Sequence, residues 1–298
     1  AAVALGAVVR FLRLLQNQSL WRGPVLPPDE RPELPDGVHY TLLTPEDGLL
    51  GTRQIAVYYS AAAAEDVVVD DLVVYSHGVM HHCEDNMEIF RQLGATATVV
   101  CWDYRGFGRS TGVADQTVCS YDLYAVLAWV YRTFSPRRLH LMGSSLGTNV
   151  TMTFLQRFAA GGAGVRWFEV KSVILCHPLY DLRDVFTHVG IPAVLTAVTE
   201  RMDVASVLPD FCRSASGISP CALIIGTSSD PVTPWSRAVE IAERCNDGSV
   251  IGGSDVCDSL SDHIRVRYHD VGGSHFELNA AAWDLIRLFI SEQGSKTA

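Results

Sequence analysis

Apolar and polar positions change in blocks along the chain, and the block lengths predict its elements. Six apolar runs of strand length stand out: LVVYSHG, ATVVCWDY, RLHLMG, KSVILCH, ALIIGTSSD and IRVRYHD. Between or after them lie longer stretches with helical spacing: NMEIFRQLG, YDLYAVLAWVYRTF, LGTNVTMTFLQRFAA, PWSRAVEIAERC and NAAAWDLIRLFI. A strand apolar along its whole length is buried on both faces, and helices between such strands join them in parallel. The pattern therefore predicts an α/β fold with a mostly parallel central sheet and helices on both faces. Ahead of it, VHYTLLT (Val38–Thr44) and RQIAVYYS (Arg53–Ser60) flank the turn signal PEDG, which predicts a hairpin.

Two regions break the rhythm. Gly23–Gly37 carries five prolines and reads as an extended linker. Residues 1–37 are thus expected to be an N-terminal apolar segment with its linker, and 38–298 the main domain. Pro178–Pro220 holds two short candidate helices, LRDVFTHV and PAVLTAVTERM, and no clear strand. Excursions of this kind arch over the strand ends where ligands bind, so residues 178–220 are read as a short helical lid rather than an ordinary crossover. The N-terminal AAVALGAVVRFLRLLQ is interrupted by Arg10 and Arg13 and is too short to span a bilayer as it stands. Two readings stay open: an amphipathic helix packed on the domain, or the end of a membrane anchor.

Composition narrows the classes of function. With 298 residues and 48% hydrophobic content the chain can bury a large core. A net charge of −10 and no basic run argue against nucleic acid as a partner. Eight cysteines show no C-x-x-C spacing, and Cys101, Cys176 and Cys221 fall in apolar runs. That usage favours a reducing, intracellular compartment. Cys245 and Cys257 flank a polar loop and form a candidate pair.

The chemistry centres on Gly143-Ser144-Ser145-Leu146-Gly147, which follows a strand and opens a helix. This is the context of a G-x-S-x-G nucleophile elbow, where the turn is so tight that the flanking positions must be small. Gly143 and Gly147 bracket Ser145 in this way and do not bracket Ser144. A serine hydroxyl needs a base to take its proton. His275, in the glycine-rich loop after the last strand, is the candidate, ahead of His140, His177, His188, His263 and His269. The orienting carboxylate is expected between serine and histidine in the chain. Asp230, just past ALIIGTSSD, fits, with Asp181 and Asp203 as competitors in the lid. Thr233 and Pro234 read as N-cap and first residue of the next helix. In a parallel sheet all three groups emerge at the carboxyl ends of the strands. Backbone N–H groups of Leu146 and Val79, with Met80 as fallback, are the candidate oxyanion donors. His77 reads as structural.

The ordered set HG, DYRGFGRSTG (Asp103–Gly112), GSSLG, GTSSDPVTP (Gly226–Pro234) and GGSHFE (Gly272–Glu277) resembles the α/β-hydrolase superfamily, and within it the BEM46-like and ABHD12/13/17-type serine hydrolases. The resemblance covers about Val38 to Ile290. It implies an α/β-hydrolase fold, a Ser145–Asp230–His275 triad, hydrolysis of ester or thioester bonds, and an N-terminal membrane anchor of the kind that group often carries. Val79 stands where members commonly have a polar residue, and HHCED follows where small residues are usual.

The expectation is a serine hydrolase acting through an acyl-enzyme on a small-molecule acyl ester or thioester of lipid-like character. No cofactor or metal is implied. Met80, Phe186, Val189, Ile191 and Leu195, with Val194, are expected to wall the acyl site, and a membrane surface is a candidate partner. The rivals are an inactive scaffold of the same fold that binds a partner, and a serine peptidase. HHCED does not read as a metal site, because adjacent side chains do not converge on one ion. GFGRSTG does not read as a dinucleotide fingerprint, because no helix opens at its turn.

Overall fold

A computed structural model describes residues 21–27, 30–45, 53–60, 69–158, 170–181, 185, 187–188, 190, 204–214, 221–246, 266–275 and 277–295. Its eight strands are β1 (Val38–Leu43), β2 (Ile55–Ser60), β3 (Asp71–Ser76), β4 (Thr98–Trp102), β5 (Arg138–Ser144), β6 (Val170–Cys176), β7 (Ala222–Gly226) and β8 (Val266–Asp270). They form one sheet in the order β1-β2-β4-β3-β5-β6-β7-β8. The hairpin β1–β2 and the β2–β4 pair are antiparallel; every pair from β4 to β8 is parallel.

Side chains alternate across a strand, so each strand feeds two cores. Leu72 and Val74 of β3 face one core, and Val73 and Tyr75 the other. The first core is covered by α2 (Gln116–Phe134), α3 (Leu146–Phe158), α4 (Val204–Ser214) and α5 (Trp235–Cys245). The second is covered by the short α1 (Glu88–Leu93) and by α6 (Ala280–Ser295), which contribute Ile89, Phe90 and Leu93, and Ala282, Ile286 and Phe289. Both faces of the parallel sheet are therefore dry, which is why its strands could be apolar throughout.

Several boundaries differ from the sequence expectation. The helix read as starting at Tyr121 begins at Gln116, because Asp115 caps it by accepting from the Val118 N–H at 2.6 Å. Helix α4 lies inside the stretch read as lid, at a place where no helix was expected; Pro209 within it reads as a breaker. The two short helices expected at 182–189 and 192–202 lie largely outside the described residues. The proline-rich stretch is tied down where it is described. Leu26 donates to Gly108, Gly108 donates to Pro24, and Arg109 donates to the carbonyl of Pro27 at 2.6 Å. Trp21 beside it is buried against Tyr104. Cys245 is a buried free thiol, and Cys257 lies outside the described residues. The N-terminal residues 1–20 also lie outside them. Among the described residues no helix is long and apolar enough to cross a membrane.

Candidate active site

The turn from β5 into α3 leaves no room for side chains at its two glycines. A Cβ placed on Gly143 would meet the Gly147 carbonyl oxygen at 2.5 Å, and one on Gly147 would meet the Ser76 carbonyl oxygen at 1.9 Å. No other residue fits either position. Ser145 between them has φ +50, a left-handed conformation that a non-glycine residue holds only under constraint. Its N–H donates to the Cys176 carbonyl at 2.9 Å, which pins the turn to the end of β6.

The side chain of Ser145 reaches His275, and His275 reaches Asp230. Nε2 of His275 lies 3.0 Å from the Ser145 hydroxyl oxygen, and its Nδ1 lies 2.7 Å from Oδ2 of Asp230. All three are buried. An ionised carboxylate only accepts, so Nδ1 carries the proton and Nε2 is left to accept the serine proton. Ser144 does not share this contact; it lines a neighbouring cleft.

Asp230 is held as an anion. Its Oδ1 accepts from the N–H groups of Val232 at 2.7 Å and Thr233 at 2.9 Å, and its Oδ2 from the Thr233 hydroxyl at 2.7 Å. Burial alone would raise its pKa. The nearby His177, His275 and the Thr233 donors outweigh burial and hold the carboxyl well below the usual range. Thr233 is therefore a partner of the carboxylate; it does not cap α5, which starts one residue later than expected with Pro234 at its N-cap. Asp181 is also buried, and Asp203 lies outside the described residues.

The loop after β3 runs beside the elbow. A Cβ on Gly78 would sit 3.7 Å from the Cβ of Ser145, so Val79 follows directly past the nucleophile position. Leu146 is the first residue of α3, where N–H groups have no partner within the helix. Met80 is 71% exposed, with φ +61. His77 is buried and stacked on Tyr104, donates from Nδ1 to the Gly78 carbonyl at 2.8 Å, and burial lowers its pKa to about 3. Phe186, Val189, Ile191, Val194 and Leu195 lie outside the described residues. In the described part of their segment, Nε2 of His188 approaches the Asp230 carbonyl at 3.1 Å.

Other candidates are occupied by the framework. His140 lies 2.8 Å from the Ser172 hydroxyl and 2.9 Å from Asp71. In HHCED, His82 caps the Cys83–Asn86 turn, and the Cys83 N–H donates to Asp103 at 2.7 Å. In DYRGFGRS, Arg105 pairs with buried Asp122, and Gly108, with φ +48, leaves room for the Asp103 carboxylate.

One of the histidines ranked behind His275 as a base stands beside the cluster. His177 follows β6 with φ +46, is 2% exposed, and places Nδ1 3.6 Å from Oδ2 of Asp230. The signal was a histidine directly after an apolar strand. Ligand atoms of His177, Asp230 and His275 lie within 4.8 Å of one another. An ion there would have to displace the hydrogen bonds that already fill the Asp230 oxygens.

A family model described as Serine aminopeptidase, S33, matches residues 68–218, half of the chain. Lysophosphatidylserine lipase ABHD12 of Gallus gallus is 25% identical over 159 residues, 49% of this chain and 40% of that protein. Protein R595 of Acanthamoeba polyphaga mimivirus is 28% identical over 160 residues, 50% of this chain and 49% of that protein. The chain thus spans half or less of the length of these curated relatives. Among solved structures, the Pyrococcus furiosus esterase Pf2001 matches with a TM-score of 0.60 at 15% identity, over 93% of this chain and 98% of that one. Est1E from Butyrivibrio proteoclasticus, bound to ferulic acid, matches with a TM-score of 0.58 at 12% identity, over 86% and 99%. At these identities the structural likeness is one of fold alone.

Proposed function

This chain is an α/β-hydrolase that belongs to the family described as serine aminopeptidase, S33, and from that premise we propose that it is a serine hydrolase of acyl esters or thioesters. The observation that carries the reading is the pair of contacts made by His275, at 3.0 Å to Ser145 and 2.7 Å to Asp230. Ser145 Oγ attacks the acyl carbon as Nε2 of His275 takes its proton. Asp230 stabilises the imidazolium so formed. The N–H groups of Val79 and Leu146 hold the oxyanion. Collapse expels the alcohol or thiol, which leaves with the proton from His275. A water, activated by the same nitrogen, then releases the acid and restores Ser145.

The lipid-like character of the substrate rests on the relatives named lysophosphatidylserine lipase and on the apolar run around Phe186, Val189, Ile191 and Leu195. In this proposal residues 178–220 act as the lid, and the segment before residue 38 brings the enzyme to a membrane surface. A second reading, a peptidase, is favoured by the family's description.

An active-site fluorophosphonate tests the core of the proposal. The wild type and Ser144→Ala are expected to be labelled, and Ser145→Ala is not. Labelling that survives in Ser145→Ala would overturn it. A p-nitrophenyl ester series then reads the pocket, since each buried methylene contributes about 0.8 kcal/mol. Highest activity on acetate removes the lipid reading, and turnover of aminoacyl p-nitroanilides above the esters installs the peptidase.

A further inference from the structure

His177 stands where three parts of the site meet. The Cys176 carbonyl just before it accepts from the Ser145 N–H at 2.9 Å, and its own N–H donates to the Ile225 carbonyl of β7 at 2.7 Å. These two bonds tie the end of β6 to the nucleophile turn on one side and to the strand that leads to Asp230 on the other. The ring is 2% exposed, with Nδ1 3.6 Å from Oδ2 of Asp230 and its centroid 5.5 Å from that of His275. The chain accepts a left-handed backbone, φ +46, to hold it there.

The same residue lines a half-open cleft of about 420 Å³, together with the carboxylates of Asp85, Glu88 and Glu277. An open cleft with three carboxylates is hydrated, and His177 is the residue that both borders this cleft and faces Asp230. Neither ring nitrogen has a hydrogen-bond partner among the described residues. A neutral imidazole carries its proton on one nitrogen, and the anion draws that proton to Nδ1. Burial opposes the charge on Asp230, and His177 acts with His275 and Thr233 against it.

We propose that His177 is a positioning residue for the hydrolysis: its ring presents an N–H to Asp230 on the side where the cleft would otherwise bring water. The inference rests on the reading of Ser145 as nucleophile and His275 as base. Water at that side of the carboxylate would screen its attraction for the imidazolium that forms at His275, and an apolar group there would leave the anion unsupported. His177 reaches the reacting atoms only through Asp230, so its removal should lower kcat and leave KM in place.

Three variants of the whole chain test this on p-nitrophenyl butyrate. His177→Gly opens the space to water, His177→Phe fills it without an N–H, and His177→Asn returns an N–H. Glycine and asparagine both tolerate φ +46, so that pair keeps the comparison if the phenylalanine variant does not fold. His177→Gly and His177→Phe are expected to lose about tenfold in kcat with KM within about twofold, and His177→Asn to stay within about threefold of wild type. In an Asp230→Asn background His177→Gly should change kcat less than about twofold, because the group it acts through has lost its charge. Unchanged kcat in His177→Gly, an equal loss in His177→Asn, a change confined to KM, or the full tenfold loss in the Asp230→Asn background overturns the proposal. Ser145→Ala, assayed alongside, keeps the two readings apart. If it is inactive while His177→Gly is normal, only the role of His177 falls. If it turns over the ester like wild type, the hydrolase reading falls and takes this role with it.

Discussion

Two aspartates sit buried at strand ends on the same sheet edge, Asp103 after β4 and Asp230 after β7. Both are turned into the protein, yet their pKa values move in opposite directions. Asp103 accepts from two backbone N–H groups, Cys83 at 2.7 Å and Arg109 at 3.1 Å. Burial outweighs these donors and pushes its pKa up to about 6. Asp230 is buried too, but the surrounding donors and histidines overcome burial and hold it down. Asp103 is enclosed more completely and meets fewer donors, so the balance between burial and the surrounding donors and histidines sets the direction at each carboxylate. One turn ties the loop Asp103–Ser110 to the sheet; the other presents a fixed anion to His275.

The sharpest test of that contrast is functional. Ser145→Ala is expected to lower kcat on p-nitrophenyl butyrate on the order of 10⁴–10⁶-fold, read by steady-state assay with folding checked by circular dichroism. Asp230→Asn should follow at about 10⁴-fold, because a neutral amide no longer selects the His275 tautomer. Asp103→Asn should change kcat less than about threefold, since the residue touches no group that reacts. If the two asparagine variants lose activity equally, the contrast drawn between the turns is wrong.

Stability separates the turns by smaller margins. Gly147→Ala would drive a methyl to within 1.9 Å of the Ser76 carbonyl oxygen, and Gly108→Ala to within 2.1 Å of the Asp103 carboxylate. Each should cost about 3 kcal/mol or more in denaturant unfolding. An unchanged midpoint for Gly147→Ala would show that the elbow has slack.

The pH dependence carries opposite signs at the two aspartates. The folded-state pKa of Asp103 is raised, so the folded state favours its protonated form. Its cost to stability is absent below the ordinary value of 3.8 and grows as the pH rises to about 6, up to about 3 kcal/mol. The value for Asp230 is depressed, so its contribution is present above 3.8 and is lost as the pH falls. Urea unfolding should show Asp103→Asn gaining stability relative to wild type as the pH rises from 3.8 to about 6, a pH-dependent gain that Asp230→Asn does not show. A difference between Asp103→Asn and wild type that stays constant across this window would assign the raised pKa to another group.

Much of this molecule could be read from residue order alone. Runs such as LVVYS and ALIIG are apolar at every position, which only a strand covered on both faces requires, and the helices between them dictate parallel neighbours. Small residues around Ser145 marked the elbow because the turn excludes a side chain at Gly143 within five residues, while Gly147 is excluded by Ser76 of the neighbouring strand. The same local logic failed at Pro209, which reads as a helix breaker but lies inside α4, and at Thr233, whose hydroxyl turns to Asp230 instead of capping α5. The sequence placed Ser145, Asp230 and His275 on one edge without distances. Contacts of 2.7 and 3.0 Å arise only when β5, β7 and the loop after β8 are set in register across the sheet. The contact of His177 with Asp230 and the acidic cleft beside it are not spelled out in residue order. They are assembled from residues as far apart as Tyr75 and Trp283, and only folding brings such side chains to one place.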